Sequence, residues 1–115
     1  MVFTDSLKKN HEFQSVFKSG RSYANKLFVM YVSKNQLDRN RIGISVSKKV
    51  GNSVVRHRLT RLIREIYRLN EQKIQSGKDI VVVARINAKD ISYHDMEKAF
   101  FHLLKMHGIE KEEMI

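Results

Sequence analysis

The segment SKKVGNSVVRHRLTRLIRE, residues 47–65, concentrates side chains that bind phosphate groups. It holds four arginines within nine residues (Arg56, Arg58, Arg61 and Arg64) and a single acidic residue, Glu65. Guanidinium groups bind phosphate oxygens through paired hydrogen bonds and keep their positive charge. Like charges on one helix repel each other and destabilise it. We therefore expect a polyanion outside the chain to neutralise these arginines.

The charge of the chain is distributed unevenly. Residues 1–68 contain 15 lysines and arginines and four acidic residues, a balance of +11, whereas residues 69–115 contain seven and eight, a balance of −1. A scattered positive excess is typical of a solvated surface, which is the alternative interpretation. An excess concentrated in one part of the chain favours nucleic acid as the partner.

The sequence contains no pattern typical of catalysis or of a metal centre. There is no cysteine, and neither a glycine-rich phosphate loop, an HExxH motif nor a nucleophile elbow occurs. The five histidines lack the spacing that would place metal ligands on one face. We expect no reaction by the chain alone. No stretch is typical of a signal peptide or a membrane span, so we expect a soluble, cytoplasmic protein.

Hydrophobic periodicity predicts one domain over residues 1–115. The expected fold is α+β, with the order α-β-β-β-α-β-α and a mixed sheet on which the helices pack. Polar residues 34–40 indicate a turn, so the strand at 41–47 should pair antiparallel with the extended chain of residues 21–33. The other expected elements are helices at residues 10–19, 52–70 and 92–107 and a buried strand at 80–85.

The arginine-rich helix should have one apolar face and one basic face, because an α-helix turns by about 100° per residue. The apolar face, expected to pack against the sheet, consists of Val55, Leu59, Leu62, Ile63 and Ile66. The basic face consists of His57, Arg61, Arg64 and Arg68, flanked by Arg56 and Arg58. Ordinary amphipathic helices, the first alternative, mix both signs of charge on the exposed face. A membrane-surface helix and a DNA-recognition helix are weaker alternatives, since the core needs the apolar face and no companion helix closely precedes this one.

A second surface is predicted from the alternation of the strands. In the strand RIGISVS, residues 41–47, the small residues Gly43 and Ser45 point away from the apolar residues. Tyr31 and Val29 should share that face, with Phe13 and Phe17 of the first helix as its wall. Lys48 and Lys49 follow at its edge. Such a surface suits a single strand of nucleic acid, whose bases stack on aromatic rings. Core packing of Phe13 and Phe17 is the alternative.

Three stretches of the chain resemble one known family. SVSKKVGNSVVRHRLTRLIRE, residues 45–65, closely resembles the arginine-rich signature of the bacterial ribonuclease P protein component. LKKNHEFQSVFKSGRSYAN, residues 7–25, is similar to the N-terminal segment of that family, and DIVVVAR, residues 79–85, to its last strand. The resemblance covers nearly the whole chain in the same order.

The resemblance implies a ribonucleoprotein that removes the 5′ leader from precursor tRNA, with the catalytic site in an RNA subunit and Mg2+ bound mainly there. No catalytic or metal-binding residue is assigned in this chain, which agrees with the missing motifs. It implies the ribonuclease P RNA subunit and precursor tRNA as partners, without a membrane or an obligate protein partner. It also implies a left-handed βαβ crossover, against the usual hand. The implied contacts to the RNA subunit are Asn52, Arg56, His57, Arg58, Arg61, Arg64 and Arg68. The implied contacts to the leader are Phe13, Phe17, Val29, Tyr31, Ser45, Lys48 and Lys49.

Two positions depart from the common family pattern. His57 stands where asparagine is usual, and Thr60 stands where lysine is frequent. A neutral imidazole still donates or accepts one hydrogen bond, so we expect a contact at His57 with a changed partner, while Thr60 removes one charge. The alternative function is a general RNA-binding or RNA-chaperone domain, because a basic α+β domain suits that role equally. A membrane-active cationic protein is a more distant alternative.

Overall fold

The structure, a computed structural model, describes residues 3–111 and consists of a mixed sheet covered by helices. The five strands are β1 (Thr4–Ser6), β2 (Arg21–Ala24), β3 (Phe28–Lys34), β4 (Asn40–Ser45) and β5 (Lys78–Ala84). The three helices are α1 (Asn10–Ser19), α2 (Ser53–Asn70) and α3 (Tyr93–His107). Short 3-10 turns follow α2 and β5 at Glu71–Lys73 and Ile86–Ala88.

Capping residues explain where α2 and α3 begin and where α3 ends. The side-chain oxygen of Asn52 accepts a hydrogen bond from the backbone N–H of Val55 at 3.0 Å, and Ser92 plays the same part for Asp95 at 3.2 Å. Each bond satisfies a backbone donor that a helix start would leave free. Gly108 ends α3 with φ 67°, a left-handed conformation that glycine adopts without steric cost. The helix boundaries predicted for α2 and α3 are therefore confirmed.

The predicted antiparallel pairing of β3 with β4 is wrong. The strand order is β1-β4-β5-β3-β2, so β5 lies between the two strands that were expected to pair. It runs antiparallel to β3 and parallel to β4. Ile80, Val81 and Val82 of β5 are fully buried, and a strand with apolar side chains on both faces requires a central position. The strand β1, only three residues long, was not predicted from the sequence.

The helix α2 is the crossover between the parallel strands β4 and β5. Parallel neighbours need a long connection that returns the chain to the same end of the sheet, and a helix usually supplies it. The arginine-rich segment therefore has a structural part as well, since its apolar face covers the two strands it connects. The left hand of this crossover remains a prediction from the resemblance.

Both faces of the sheet are covered by apolar side chains. The larger cluster lies under α2 and α3 and includes Phe28, Met30 and Ile42 of the sheet. The smaller cluster lies under α1 and contains Leu7, Val16 and Val81. The predicted α+β class, with helices on a mixed sheet, is confirmed. Within residues 3–111, no helix combines the length and the apolar character that crossing a membrane requires.

Candidate nucleic-acid interface

The basic face of α2 points away from the core, as predicted. Leu59, Ile63 and Ile66 are fully buried on the opposite side of the helix. We call the exposed residues His57, Arg58, Arg61, Arg64 and Arg68 the arginine stripe. Val55 and Leu62 are half-buried at the borders of the apolar face. The predicted apolar face is therefore confirmed, and so is the exposure of the basic face.

The arginine stripe has few acidic partners. Within residues 3–111, the side chains of His57, Arg61 and Arg64 form no ion pair or hydrogen bond. Arg68 differs, because its Nε lies 2.9 Å from Oε2 of Glu65 and its Nη2 lies 2.5 Å from Oε1. These hydrogen bonds and the charge of Arg68 hold the pKa of Glu65 below its ordinary value. Because Glu65 is paired with Arg68, a phosphate that binds Arg68 has to displace this carboxylate, whereas a phosphate that binds Arg61 or Arg64 displaces none.

A shallow pocket of about 270 Å³ opens between the arginines near the start of α2. Its lining includes Arg56, whose Nε is enclosed and has no acceptor among the described residues. A buried donor without an acceptor is unfavourable, so a shift of Arg56 that brings its Nε to an acceptor would be favoured. Thr60 donates to the backbone oxygen of Arg56 at 2.9 Å, an interaction within the helix that leaves the pocket open. Asn52 lies at the same end of α2, with its side chain committed to the helix start.

The second surface lies on the opposite side of the sheet, beside α1. Phe17 and Tyr31 meet edge to face, with ring centroids 4.9 Å apart and planes inclined by 71°. Both rings, like that of Phe13, are half-buried. We call these three rings, with Val29, Gly43, Ser45, Val81 and Val83 of the sheet, the aromatic face. The sequence left open whether Phe13 and Phe17 line a groove or pack in the core. Both rings pack against the smaller apolar cluster and are also partly exposed, so each interpretation is correct in part.

The floor of the aromatic face has a strand that the sequence analysis did not place there. Tyr31 lies beside Val81, which lies beside Gly43, and the next row is Val29, Val83 and Ser45. Tyr31 and Ser45 share a face as predicted, but β5 separates them. The alternation of Asp79, Val81 and Val83 could have indicated that Val81 and Val83 share one face of the strand. The apolar run at 80–83 was interpreted only as a buried strand, so its two faces were not assigned.

Gly43 allows α1 to lie close to the sheet. A Cβ atom at this position would lie 2.6 Å from Cε1 and 2.7 Å from Cζ of Phe13, closer than real Cβ contacts. The ring of Phe13 therefore rests on the backbone of β4. The strand ends at Ser45, two residues before the predicted end, and Ser47 accepts a backbone hydrogen bond from Val50 in the turn that follows. Lys48 and Lys49 are exposed in that turn, at the edge of the aromatic face.

An ion-pair network that the sequence did not predict joins α1 to the sheet. Arg41 of β4 contacts Asp79 of β5 through Nε and Nη2 at 2.8 and 2.6 Å, and its Nη1 donates to Glu12 of α1 at 3.1 Å. Backbone hydrogen bonds from Lys9 and Lys8, with the charge of Arg41, hold the pKa of Glu12 below its ordinary value.

Residues 3–111 contain no group of three or more His, Cys, Asp or Glu side chains arranged to hold a metal ion.

Comparisons with known proteins give a consistent result. The family model described as Ribonuclease P matches residues 1–108. The chain is 58% identical over 106 residues to the ribonuclease P protein component of Lachnoclostridium phytofermentans, covering 92% of this chain and 91% of that one. The same component of Alkaliphilus metalliredigens is 52% identical, with 91% and 95% covered.

Solved structures agree with the sequence relatives. The structure of the Staphylococcus aureus RNase P protein matches with a TM-score of 0.85 and 41% identity, over 92% of this chain and 97% of that one. The RNase P protein from Thermotoga maritima matches with a TM-score of 0.82 and 34% identity, over 89% and 96%.

Proposed function

Since the chain belongs to the ribonuclease P protein family, we propose that it is the protein subunit of a ribonuclease P holoenzyme and holds RNA on two separate surfaces. The reaction is the endonucleolytic removal of the 5′ leader from precursor tRNA. One surface, the arginine stripe with Arg56 and Asn52, binds the RNA subunit. The other, the aromatic face with Lys48 and Lys49, binds the leader.

The charges of α2 support the contact with the RNA subunit. Arg61 and Arg64 are exposed, and within residues 3–111 their side chains have no acidic partner. The enclosed Nε of Arg56 adds a donor that still needs an acceptor. Because α2 is anchored through Leu59 and Ile63, the guanidinium groups are presented to phosphates from a rigid helix.

The geometry of the aromatic face supports the contact with the leader. A single strand needs rings on which bases stack and cations near its phosphates. Phe17 and Tyr31 provide half-buried rings fixed by their mutual contact, and Lys48 and Lys49 provide exposed ammonium groups at the edge. Gly43 lets the ring of Phe13 lie close to the sheet, and Ser45 is a small, half-buried residue in the next row of the floor.

We assign the chemistry to the RNA subunit, as the resemblance implies, with Mg2+ bound mainly there. The Mg2+ would supply the charge stabilisation that phosphodiester cleavage requires. The side chains of this protein then bind and orient: α2 positions the RNA subunit, and the aromatic face positions the leader relative to it.

The observation that carries the proposal is that the arginine stripe and the aromatic face lie on opposite sides of one sheet. The test combines the purified full chain, ribonuclease P RNA and precursor tRNA at low Mg2+ concentration, with 5′ processing as the readout. We expect processing by the mixture at a Mg2+ level where the RNA alone is inactive. Processing by rigorously RNA-free protein would overturn the assignment of catalysis to RNA, and a mixture no faster than RNA alone would overturn the subunit role.

A further inference from the structure

A third basic surface lies on α3, outside both proposed RNA contacts. It is a groove of about 920 Å³ between α3, the 3-10 turn after α2 and the end of the described chain. We call it the lysine groove and define it by Lys73, Lys98, Phe101, His102, Lys105 and Lys111. Four of these residues belong to one face of α3, because their spacing is i, i+3, i+4 and i+7.

The lysine groove collects positive charge in the half of the chain that has no net excess of it. Residues 69–115 contain seven lysines and arginines, and four of the seven line this groove. Its lining contains one carboxylate, that of Glu110. None of the four lysines forms an ion pair within residues 3–111. Four ammonium groups gathered around one acid repel one another, and a polyanion relieves that repulsion.

Phe101 gives the groove an aromatic ring in a fixed position. The ring is half-buried and meets the fully buried Phe100 edge to face, with centroids 6.5 Å apart. Lys73 places its Nζ over the same ring, 5.5 Å from its centre. The ring thus packs against the core on one side and carries an ammonium group on the other, so a base that stacks on it takes the place of that group, which can then pair with a phosphate.

The size of the basic surface favours a strand over a single phosphate. Lys98 and Lys105 are seven residues apart, which corresponds to about 10 Å along a helix. The 3-10 turn that contributes Gln72 and Lys73 to the groove directly follows α2, the helix that carries the arginine stripe. An acidic peptide would satisfy the lysines, but it would make no use of the ring of Phe101.

We propose that the lysine groove is a third RNA-binding surface, which takes a single-stranded segment with phosphates on Lys98 and Lys105 and a base on Phe101. The ligand class is single-stranded RNA, separate from the contacts assigned to α2 and to the aromatic face. The groove therefore extends the RNA path of this protein to the outer side of α3.

The test measures the binding of the full chain to a fluorescent oligouridylate of about ten nucleotides, a length typical of small single-strand-binding surfaces. All proteins carry Tyr31→Ala, so that the aromatic face contributes little. The groove variant is Lys98→Ala with Lys105→Ala. The matched control is Lys34→Ala with Lys78→Ala, which removes the same charge from two paired strand positions outside the groove.

We expect the groove variant to lower affinity by about five-fold or more relative to the control, and to reduce the salt slope by up to about 0.7 units per lysine. Phe101→Leu should lower affinity by a similar factor, and Phe101→Tyr should retain it, because tyrosine keeps the ring. Melting curves accompany each variant. Equal affinities for the groove and control variants would overturn the proposal.

A second outcome separates RNA from an acidic peptide. If polyglutamate competes as well as unlabelled oligouridylate and Phe101→Leu binds normally, the groove is not an RNA surface and the proposal fails. Precursor tRNA processing is measured in parallel, with the holoenzyme containing wild-type protein. Failure of that assay would contradict the subunit role, while the oligouridylate result decides the groove independently.

Discussion

Arg41 holds the carboxylate of Asp79 through two of its nitrogens, with distances of 2.8 Å from Nε to Oδ1 and 2.6 Å from Nη2 to Oδ2. The third nitrogen, Nη1, reaches Glu12 on α1. One guanidinium group therefore joins β4, β5 and α1. Because α1 also carries Phe13 and Phe17, this ion pair helps to fix the aromatic face against the sheet.

The first prediction concerns the pH dependence of stability. Burial alone raises the pKa of Asp79, but hydrogen bonds from Arg41 and Asn35 and the charge of Arg41 hold it below its ordinary value of 3.8. A lowered pKa stabilises the folded state above 3.8 and loses that effect as the pH falls through the folded-state value. Asp79→Asn should therefore lower the free energy of unfolding by about 1–3 kcal/mol at neutral pH, and by much less in acid.

Urea unfolding of both proteins at about pH 7 and about pH 3 measures this difference. Asp38→Asn is the control, since Asp38 is exposed and lies outside the network. A stability difference that is the same at both pH values would show that Asp79 acts through packing and not through its charge.

The second prediction concerns salt. Arg61→Ala and Arg64→Ala should each weaken binding of the RNA subunit and lower the slope of log K against log salt by up to about one unit. Thermal unfolding should change little, because both side chains are exposed and unpaired within residues 3–111. Lys34→Ala controls for the loss of one charge. Loss of the thermal transition in either arginine variant would assign that arginine a structural role.

The third prediction concerns Glu65, which forms an ion pair with Arg68. Glu65→Gln removes a carboxylate beside the arginine stripe and releases Arg68 for phosphate. Both side chains are about half exposed, so the pair contributes little to folding. We expect the variant to bind the RNA subunit a few-fold more tightly, by about two- to ten-fold at low salt. Binding isotherms at two salt concentrations measure it, and weaker binding would mean that the ion pair positions Arg68 for RNA.

The fourth prediction concerns the contact between Gly43 and Phe13. Gly43→Ala introduces a Cβ atom 2.6 Å from the ring and must displace Phe13. The holoenzyme should then lose affinity for precursor tRNA while its assembly with the RNA subunit is unchanged. Adding Phe13→Leu to Gly43→Ala should partly relieve the strain, which a melting curve would show as a higher transition temperature. If the two substitutions together are less stable than either alone, the contact explanation fails.

The helices were predictable from sequence because their signals are local. Asn52 and Ser92 mark helix starts, Gly108 marks an end, and the apolar spacing through Leu59 and Ile63 defines which face is buried. The sheet order was not predictable in the same way. The pairing of β4 with β5 joins Arg41 to Asp79 across 38 positions, and the intervening turn at 34–40 favoured a hairpin equally well.

A candidate surface was predictable from sequence where one helix or strand contains all of its residues. The arginine stripe depends only on the period of α2, and its exposure was confirmed. The aromatic face depends on which strand lies between β3 and β4. Tyr31 and Ser45 were therefore assigned to the correct face, while Val81 and Val83, the residues between them, were missed.

The last prediction separates the aromatic face from the arginine stripe. Tyr31 contributes a half-buried ring that rests edge to face on Phe17 at the surface beside α1. Stacking of a base on such a ring contributes roughly 1–3 kcal/mol. Tyr31→Ala should therefore weaken binding of precursor tRNA to the assembled holoenzyme by about ten-fold or more. Binding of mature tRNA, which lacks the leader, and assembly with the RNA subunit should stay nearly unchanged.

The measurement is the ratio of precursor to mature tRNA affinity, with a melting curve for each protein. Tyr31→Phe is the matched control, because it keeps the ring and its contact with Phe17 while removing the hydroxyl group, and its ratio should equal that of the wild type. If Tyr31 were only a core residue, Tyr31→Ala would lower stability and reduce every affinity by the same factor. An unchanged ratio together with a lower melting temperature would therefore remove the leader from this face and leave Phe17 and Tyr31 as packing between α1 and the sheet.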